Sequence, residues 1–253
     1  MAIGIFDSGL GGLTVAKAIM EALPRENIVY FGDTARTPYG NKSPEVVTQY
    51  ARENTEFLLK KKADMIVVGC NAASSTAGEM LKKEFPHVPV FEVVAPAVRE
   101  ALRVTRNGRI GVIGTRRTIQ SGAYQSWIRT CVGQACPLFV PLVEVGRLDD
   151  PATEEVARQY LRSFVHAGVD TLILGCTHYP FLKPLISRIM GRGVTLVDSA
   201  ETVAREVAYW NVKCKMKNAK LPKHEFYVSK KTPRFQELAE KWLGMPITLK
   251  VAR

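Results

Sequence analysis

The chain has 253 residues, of which 46% are hydrophobic and 23% charged, and its formal net charge is +11. This balance is that of a globular protein with room for one large or two medium domains and a sizeable core. No apolar run is long enough to span a membrane and no signal peptide precedes the first strand. These absences argue against membrane and secreted classes, so we expect a cytoplasmic protein.

The excess of positive charge is concentrated near the C-terminus. Glu225 is the only acidic residue within a basic cluster formed by Lys213, Lys215, Lys217, Lys220, Lys223, Lys230, Lys231 and Arg234. A nucleic-acid-binding protein with incidental cysteines is therefore one interpretation of the chain. No RNA-binding motif or interleaved aromatic residues accompany the cluster, and a solvated basic face explains it more simply.

Strand and helix patterns alternate through the first part of the chain. Apolar runs predict strands at residues 2–6, 27–32, 64–70 and 90–94, with helices at 13–23, 43–62 and after Cys70. Ser43 and Pro44 are a typical cap and first residue of a helix. Regular alternation of this kind predicts a parallel sheet with helices on both faces.

The pattern then restarts at residue 109. Ile3 corresponds to Ile110 and Pro44 to Pro151, both at an offset of 107 residues, and Cys70 corresponds to Cys176 at 106. A near-constant offset favours a duplicated half-molecule over chance similarity of two α/β units. The fold class we predict is α/β, with two pseudo-symmetric, mainly parallel sheets flanked by helices. A strand at 226–228, a helix at 234–243 and a strand at 247–251 follow, and the last strand could complete either sheet.

Each half carries the same element: an Asp, an apolar run, a Gly and a Cys, at residues 64–70 and 170–176. Ligands bind outside the carboxyl ends of parallel strands, so Cys70 and Cys176 should face one cleft from opposite sides. This arrangement suits the removal of a proton from one face of a carbon and its return to the other face. Cys70 alone would be a small buried hydrophobe, whereas the pair favours acid–base catalysis.

A thiol with a pKa of about 8.5 is only slightly ionised at neutral pH and needs neighbouring groups. The sequence offers Asp7 near Cys70 and His178 near Cys176. The glycine-rich turn at residues 7–12 lacks nucleotide-binding spacing, and its N–H groups are suited to a carboxylate. No metal-ligand spacing surrounds Cys176 and His178. The remaining cysteines, Cys131, Cys136 and Cys214, have no comparable context.

Four motifs together resemble the glutamate racemase family. They are Phe-Asp-Ser-Gly-Leu-Gly-Gly at residues 6–12, Pro-Tyr-Gly at 38–40, Gly-Cys-Asn-Ala-Ala-Ser at 69–74 and Gly-Cys-Thr-His-Tyr-Pro at 175–180. The resemblance implies cofactor-independent, two-base racemisation of L- and D-glutamate, which supplies D-glutamate for peptidoglycan. It also implies a homodimer with the active site between two domains, of which the first is discontinuous (1–95 with 209–253) and the second spans 96–208. The alternative enzyme is an aspartate racemase or a related two-cysteine isomerase.

The resemblance also implies roles for individual residues. Cys70 would deprotonate D-glutamate with help from Asp7, and Cys176 would deprotonate L-glutamate with help from His178 and Glu144. The substrate contacts that it implies are Asp7, Ser8, Tyr39, Gly40, Asn71, Ala72, Thr115, Thr118, Thr177 and His178. Ala72 departs from the family, which usually has Thr there, so we expect weaker or redistributed binding of the substrate carboxylate.

Overall fold

The computed structural model describes residues 1–213 and 222–252. Its strands are β1 Ala2–Asp7, β2 Asn27–Gly32, β3 Met65–Val68, β4 Val90–Glu92, β5 Ile110–Gly114, β6 Val132–Ala135, β7 Thr171–Gly175, β8 Thr195–Asp198, β9 His224–Val228 and β10 Leu249–Val251. Its α-helices are α1 Leu13–Ala22, α2 Pro44–Lys60, α3 Asn71–Glu84, α4 Val94–Val104, α5 Arg116–Gln120, α6 Ala123–Trp127, α7 Phe139–Glu144, α8 Pro151–His166, α9 Lys183–Met190, α10 Ser199–Lys213 and α11 Pro233–Leu243. Residues Tyr39–Asn41 and Tyr179–Leu182 form 3-10 helices. Within the two described ranges, none of these helices is both long and apolar enough to cross a membrane.

The first sheet has the strand order β10-β9-β2-β1-β3-β4, and its paired strands are parallel. Side chains alternate along β1, so that Ile5 packs with α1, α10 and α11 while Phe6 packs with α2 and α3 on the other face. The C-terminal strands β9 and β10 therefore complete the first sheet. This pairing supports the proposal that the first domain is discontinuous. The exact domain boundaries stay a proposal, because Val203 and Val207 of α10, which precede residue 209, also pack in the core of the first sheet.

The second sheet has the order β6-β5-β7-β8, also parallel. Helices α4 and α6 cover one face and α7, α8 and α9 cover the other. Its order repeats the order β2-β1-β3-β4 of the first sheet, with each strand number increased by four. The α/β fold with two pseudo-symmetric parallel sheets is confirmed.

The repeated Asp that precedes each cysteine has a structural role. The Asp64 carboxylate accepts the Ala2 N–H at 2.7 Å, at the start of β1. The Asp170 carboxylate accepts the N–H groups of Arg106 and Asn107, at 2.7 and 2.8 Å, in the turn before β5. Asp64, just before β3, is thus hydrogen-bonded to the start of β1, and Asp170, just before β7, to the turn before β5.

Several element boundaries differ from the sequence prediction by one or two residues, and the end of β4 has an identifiable cause. Strand β4 ends at Glu92 rather than at residue 94, because the Glu92 carboxylate accepts the N–H groups of Val94 and Ala95 at 2.6 and 2.9 Å. Those bonds satisfy the first free donors of α4, a helix that the pattern did not assign. Helix α2 begins as predicted, at a Pro that follows the capping side chain of Ser43, and α8 begins in the same way after Asp150.

Candidate active site

Four strand ends carry most of the predicted site residues. Strand β1 ends at Asp7, β3 leads through Gly69 to Cys70, β5 leads to Thr115, and β7 leads to Cys176. Because the strands of each sheet are parallel, their carboxyl ends lie on one edge. The two sheets present these edges to each other, and Cys70 and Cys176 line the same cavity, of about 340 Å³.

Burial divides the cavity wall into a floor and a rim. The floor consists of the buried residues Tyr39, Gly40, Cys70, Asn71, Ala72, Cys176, Thr177 and His178. The rim consists of the exposed residues Thr37, Pro38, Asn41, Arg116 and Pro141. Ser8, Thr115, Pro137, Val140 and Glu144 lie between these levels. Both thiols therefore lie at the closed end, each 6% exposed.

Cys70 is the N-cap of α3, at the positive end of a 14-residue helix. Its thiol lies 3.7 Å from the Ser8 hydroxyl. Burial, and secondly the negative charge of Asp7, raise the pKa of Cys70 to about 12, against hydrogen bonds from Ala73 and Ser8 that favour the thiolate. The thiol is therefore protonated at neutral pH unless another group takes its proton.

Asp7 lies beneath the cavity, is fully buried and does not line the wall. Its Oδ2 accepts the Gly9 N–H at 2.8 Å, and the Gly12 N–H also points at this carboxylate. Burial raises the pKa of Asp7, while the charge of His178 and these N–H groups oppose the rise. The glycine-rich loop thus does meet a carboxylate, but that carboxylate belongs to Asp7.

Cys176 has a different neighbour, the imidazole of His178. The Cys176 Sγ lies 4.0 Å from His178 Nδ1, and His178 Nε2 lies 3.0 Å from Glu144 Oε1. Burial raises the pKa of Cys176 above its ordinary value, and negative charge on Cys70 raises it further. The charge state of Cys70 therefore affects the Cys176 thiol, with which it shares the cavity wall.

Residues from the C-terminal segment, which motif reasoning missed, hold this second group in place. The Trp242 ring packs edge-on against the His178 ring, with centroids 5.7 Å apart. The Arg234 guanidinium donates a hydrogen bond to the backbone oxygen of Glu144. Both residues lie on α11, 56 and 64 positions after His178 in sequence, and no local pattern relates them to the site.

A close approach explains two glycines of the loop. A Cβ on Gly11 would overlap the side chains of Thr177 and His178, and a Cβ on Gly12 would overlap Asp7. The Thr14 hydroxyl, one turn further on, lies 3.1 Å from the Thr177 carbonyl oxygen, to which it donates. The loop of the first half is thereby packed directly against the cysteine turn of the second.

The other predicted substrate contacts divide into two groups. Ser8, Tyr39, Gly40, Asn71, Ala72, Thr115 and Thr177 line the cavity. Thr118 does not: it is buried behind Thr115, and the two hydroxyls lie 3.0 Å apart. The Tyr39 hydroxyl is also directed away from the cavity, since it donates to Asp33 and accepts from Asn54.

Asn71 is held by groups that the sequence did not indicate. Its amide nitrogen donates to the Tyr124 hydroxyl at 3.0 Å and to the Ser199 hydroxyl at 3.2 Å. Its Oδ1 is buried and accepts no hydrogen bond from the described residues. This geometry fixes Asn71 at the start of α3 and leaves one acceptor for a ligand.

The remaining cysteines lie outside this wall. Cys131 and Cys136 are buried free thiols that do not line the cavity. Cys214 and the basic residues Lys215, Lys217 and Lys220 lie outside the described residues. Within residues 1–213 and 222–252, no three His, Cys, Asp or Glu side chains are grouped so that they could hold a metal ion.

Comparison with known proteins identifies the family of the chain. Residues 3–207 match the model of the Asp/Glu/Hydantoin racemase family. The chain is 54% identical to the glutamate racemase of Geobacter metallireducens over 213 residues, covering 82% of this chain and 78% of the relative. It is 46% identical to that of Aquifex aeolicus over 255 residues, covering 99% and 97%.

The fold has solved counterparts as well. A crystal structure of glutamate racemase from Francisella tularensis in complex with D-glutamate matches with a TM-score of 0.92 at 33% identity, covering 100% of this chain and 97% of that chain. The resemblance drawn from the four motifs is therefore confirmed. The chain belongs to the Asp/Glu/Hydantoin racemase family, among its glutamate racemases, and is an isomerase.

Proposed function

We propose that the protein interconverts L- and D-glutamate by direct proton transfer between Cys70, Cys176 and the substrate Cα. One observation carries the proposal: two thiols from equivalent strand ends of a duplicated fold line the buried floor of one cavity. A substrate held between them would present one face of its Cα to each sulfur. Inversion then needs no cofactor, because one thiolate and one thiol suffice.

The proposed step balances in protons and charge. The Cys70 thiolate removes the Cα proton of D-glutamate and becomes a thiol, and the electron pair of the broken bond delocalises into the α-carboxylate. The Cys176 thiol then gives its proton to the opposite face and becomes a thiolate. The product is L-glutamate, and the reverse reaction exchanges the two roles.

The thiolate of Cys70 needs support, because burial raises its pKa to about 12. We assign this support to Asp7, which can take the thiol proton, and to the positive end of α3. The raised pKa of Asp7 makes its carboxylate a better proton acceptor than an exposed one. Ser8 donates to the developing thiolate from 3.7 Å once its hydroxyl rotates.

On the opposite side we assign the same task to His178. If Nε2–H donates to Glu144, at 3.0 Å, the lone pair of Nδ1 is left facing the Cys176 thiol, at 4.0 Å. The imidazole then takes the thiol proton, and the Glu144 carboxylate stabilises the imidazolium that forms. Glu144 acts through His178 and is a positioning residue.

Carboxylate binding is assigned to the floor between the two cysteines. Thr177 offers a hydroxyl, and the backbone N–H of Ala72 lies in the first turn of α3, where the N–H groups have no partner within the helix. The hydrogen bonds of Asn71 to Tyr124 and Ser199 hold the start of this helix in place. Ala72 lacks the hydroxyl of the family's usual Thr. We therefore propose that this carboxylate is held mainly by backbone donors and Thr177.

The wider biological role follows the same proposal. A glutamate racemase in the cytoplasm would supply D-glutamate for peptidoglycan, and the family resemblance favours a homodimer. Sedimentation of the purified chain over a range of concentrations tests the dimer. A monomer at all concentrations would contradict that part of the proposal.

The direct test is an assay of optical activity with L-glutamate, D-glutamate, L-aspartate and D-aspartate, each without added cofactor. We expect both glutamate enantiomers to reach a racemic mixture and aspartate to react much more slowly. Equal or faster turnover of aspartate would assign the alternative substrate. No loss of optical activity with any of the four would reject racemisation.

A further inference from the structure

One charged residue of the cavity wall has no part in the proposed proton transfers. Arg116 follows Thr115 directly after β5, lines the cavity and is exposed, which places it on the rim. Helix α5, which begins with Arg116, packs against the 3-10 helix Tyr39–Asn41 of the first half. Arg116 therefore lies where the two halves meet at the entrance.

The charges around the cavity make this position distinctive. Among the described residues of the wall, Arg116 carries the one permanent positive charge, and Glu144 has the one carboxylate side chain. Glu144 is engaged with His178. Arg116 is in none of the ion pairs formed by the described part of the chain, so its guanidinium is available to a ligand.

We propose that Arg116 captures the anionic substrate at the entrance and so sets the affinity for glutamate. The inference rests on the proposed function, because it takes glutamate, with two carboxylates and one ammonium group, as the ligand. A guanidinium presents several donors in a plane that matches a carboxylate. On an exposed rim its effect extends over about one Debye length and weakens as salt is added.

Capture of this kind has a kinetic signature. Arg116 lies on the exposed rim whereas both thiols are buried, so its charge acts on binding and not on the proton transfers between Cα and the sulfurs. Loss of an interaction made equally in the bound state and the transition state raises KM and leaves kcat unchanged. A residue that merely shaped the fold would lower kcat or stability instead.

The adjacent residue, Arg117, provides a matched control. Arg117 carries the same charge, lies on the same short helix and is absent from the cavity wall, since its guanidinium donates to Gln120 at 2.8 Å. Arg116→Gln and Arg117→Gln change the net charge equally. A difference between them thus reports the position of the charge and not its total.

The experiment measures kcat and KM for both enantiomers of glutamate in the wild type, Arg116→Gln, Arg116→Lys, Arg116→Glu and Arg117→Gln. For Arg116→Gln we expect KM to rise about five- to tenfold with kcat changed by less than about twofold. Arg116→Lys should recover most of the affinity, and Arg116→Glu should lose more. Between about 20 mM and about 0.5 M salt, kcat/KM should fall for the wild type and for Arg117→Gln, and should fall less for Arg116→Gln.

Calorimetric titration with glutamate separates this inference from the proposed function. The enantiomers have equal enthalpy, so racemisation adds no heat and the titration reports binding alone. One outcome is that the wild type binds glutamate without racemising it, while Arg116→Gln binds it about five- to tenfold more weakly. In that case the capture role stands and the proposed function is rejected. Equal Kd values for Arg116→Gln and Arg117→Gln would overturn the capture role, as would a wild type that does not bind glutamate.

Discussion

The two thiols that line the cavity, Cys70 and Cys176, follow equivalent strands but have different groups behind them. Cys70 caps a long helix and has a fully buried carboxylate, Asp7, as its neighbour. Cys176 precedes a 3-10 helix and has an imidazole, His178, at 4.0 Å, which in turn contacts Glu144 at 3.0 Å. The fold is duplicated, whereas the acid–base chemistry around the two cysteines is not.

This difference shows what symmetry a racemase requires. L- and D-glutamate have the same free energy, so kcat/KM must be equal in the two directions for the wild type and for every variant. The two protein faces are free to differ, because a change on one side alters both directions of kcat/KM together. A buried carboxylate on one side and a carboxylate-supported imidazole on the other can therefore perform the same task.

Replacing either thiol should have the largest effect. We expect Cys70→Ala and Cys176→Ala each to lower kcat/KM by at least about 10³-fold in both directions, because each variant lacks the acid or the base on one face. Cys131→Ala is the matched control, since Cys131 is a buried free thiol that does not line the cavity. Substantial racemisation by either single active-site variant would reject the two-thiol mechanism.

Replacing the groups behind the thiols should separate the two sides. Asp7→Asn and His178→Asn should each lower kcat/KM by about 10²-fold, since each removes the acceptor for one thiol proton. Glu144→Gln should lower kcat/KM less, by about tenfold, because the imidazole of His178 remains.

The separation appears in kcat rather than in kcat/KM. Asp7→Asn should slow kcat from D-glutamate more than kcat from L-glutamate, and His178→Asn should do the reverse. A parallel loss of kcat in both directions in both variants would contradict the assignment of one group to each thiol.

The change of kcat/KM with pH should be similar in size to the effect of replacing Asp7 or His178. Burial raises the pKa of Cys70 to about 12 and also raises that of Cys176, so both are thiols in the free enzyme near neutral pH. The thiolate fraction then grows with pH, and kcat/KM should increase up to about tenfold per pH unit from about pH 6 to about pH 8. A profile that falls over this interval would contradict the role of the thiolates.

Restoring the family's usual residue should have the smallest effect. Ala72→Thr adds a hydroxyl to a buried wall position next to Asn71, and we expect KM for glutamate to fall about two- to threefold. Ala72→Val adds similar bulk without the hydroxyl and serves as the control. A lower KM in Ala72→Val as well would point to packing and not to a hydrogen bond.

The sequence predicted the parts of this comparison that depend on local pattern. Apolar runs that end in Gly-Cys located β3 and β7, and the offset of 107 residues predicted the duplicated sheet order. The two cysteines could be paired because each occupies the same place in a repeated element. Helix α4, which the pattern left unassigned, begins where the Glu92 carboxylate accepts the N–H groups of Val94 and Ala95, and the pattern had placed Glu92 inside a strand.

The groups that distinguish the two sides depend on long-range packing, which local pattern does not encode. Trp242 and Arg234 reach His178 and Glu144 from α11, and Tyr124 and Ser199 reach Asn71 from two other helices. Arg116 directly follows a predicted strand, but its proposed role depends on its position on the cavity rim, which the sequence does not show. Conversely, Thr118 is a substrate contact that the resemblance implies, yet its hydroxyl lies against that of Thr115 behind the cavity wall.

The central claim is that two thiols on opposite faces of Cα exchange one proton each with the substrate, and racemisation in deuterated water tests it most directly. Starting from L-glutamate, one cysteine removes a protium and the other supplies a deuteron from its solvent-exchanged thiol. We predict that D-glutamate formed at early times carries deuterium at Cα, while the remaining L-glutamate keeps its protium. The same pattern should hold in reverse from D-glutamate. Deuterium appearing at equal rates in the product and in the remaining substrate would indicate a single base and would contradict the account.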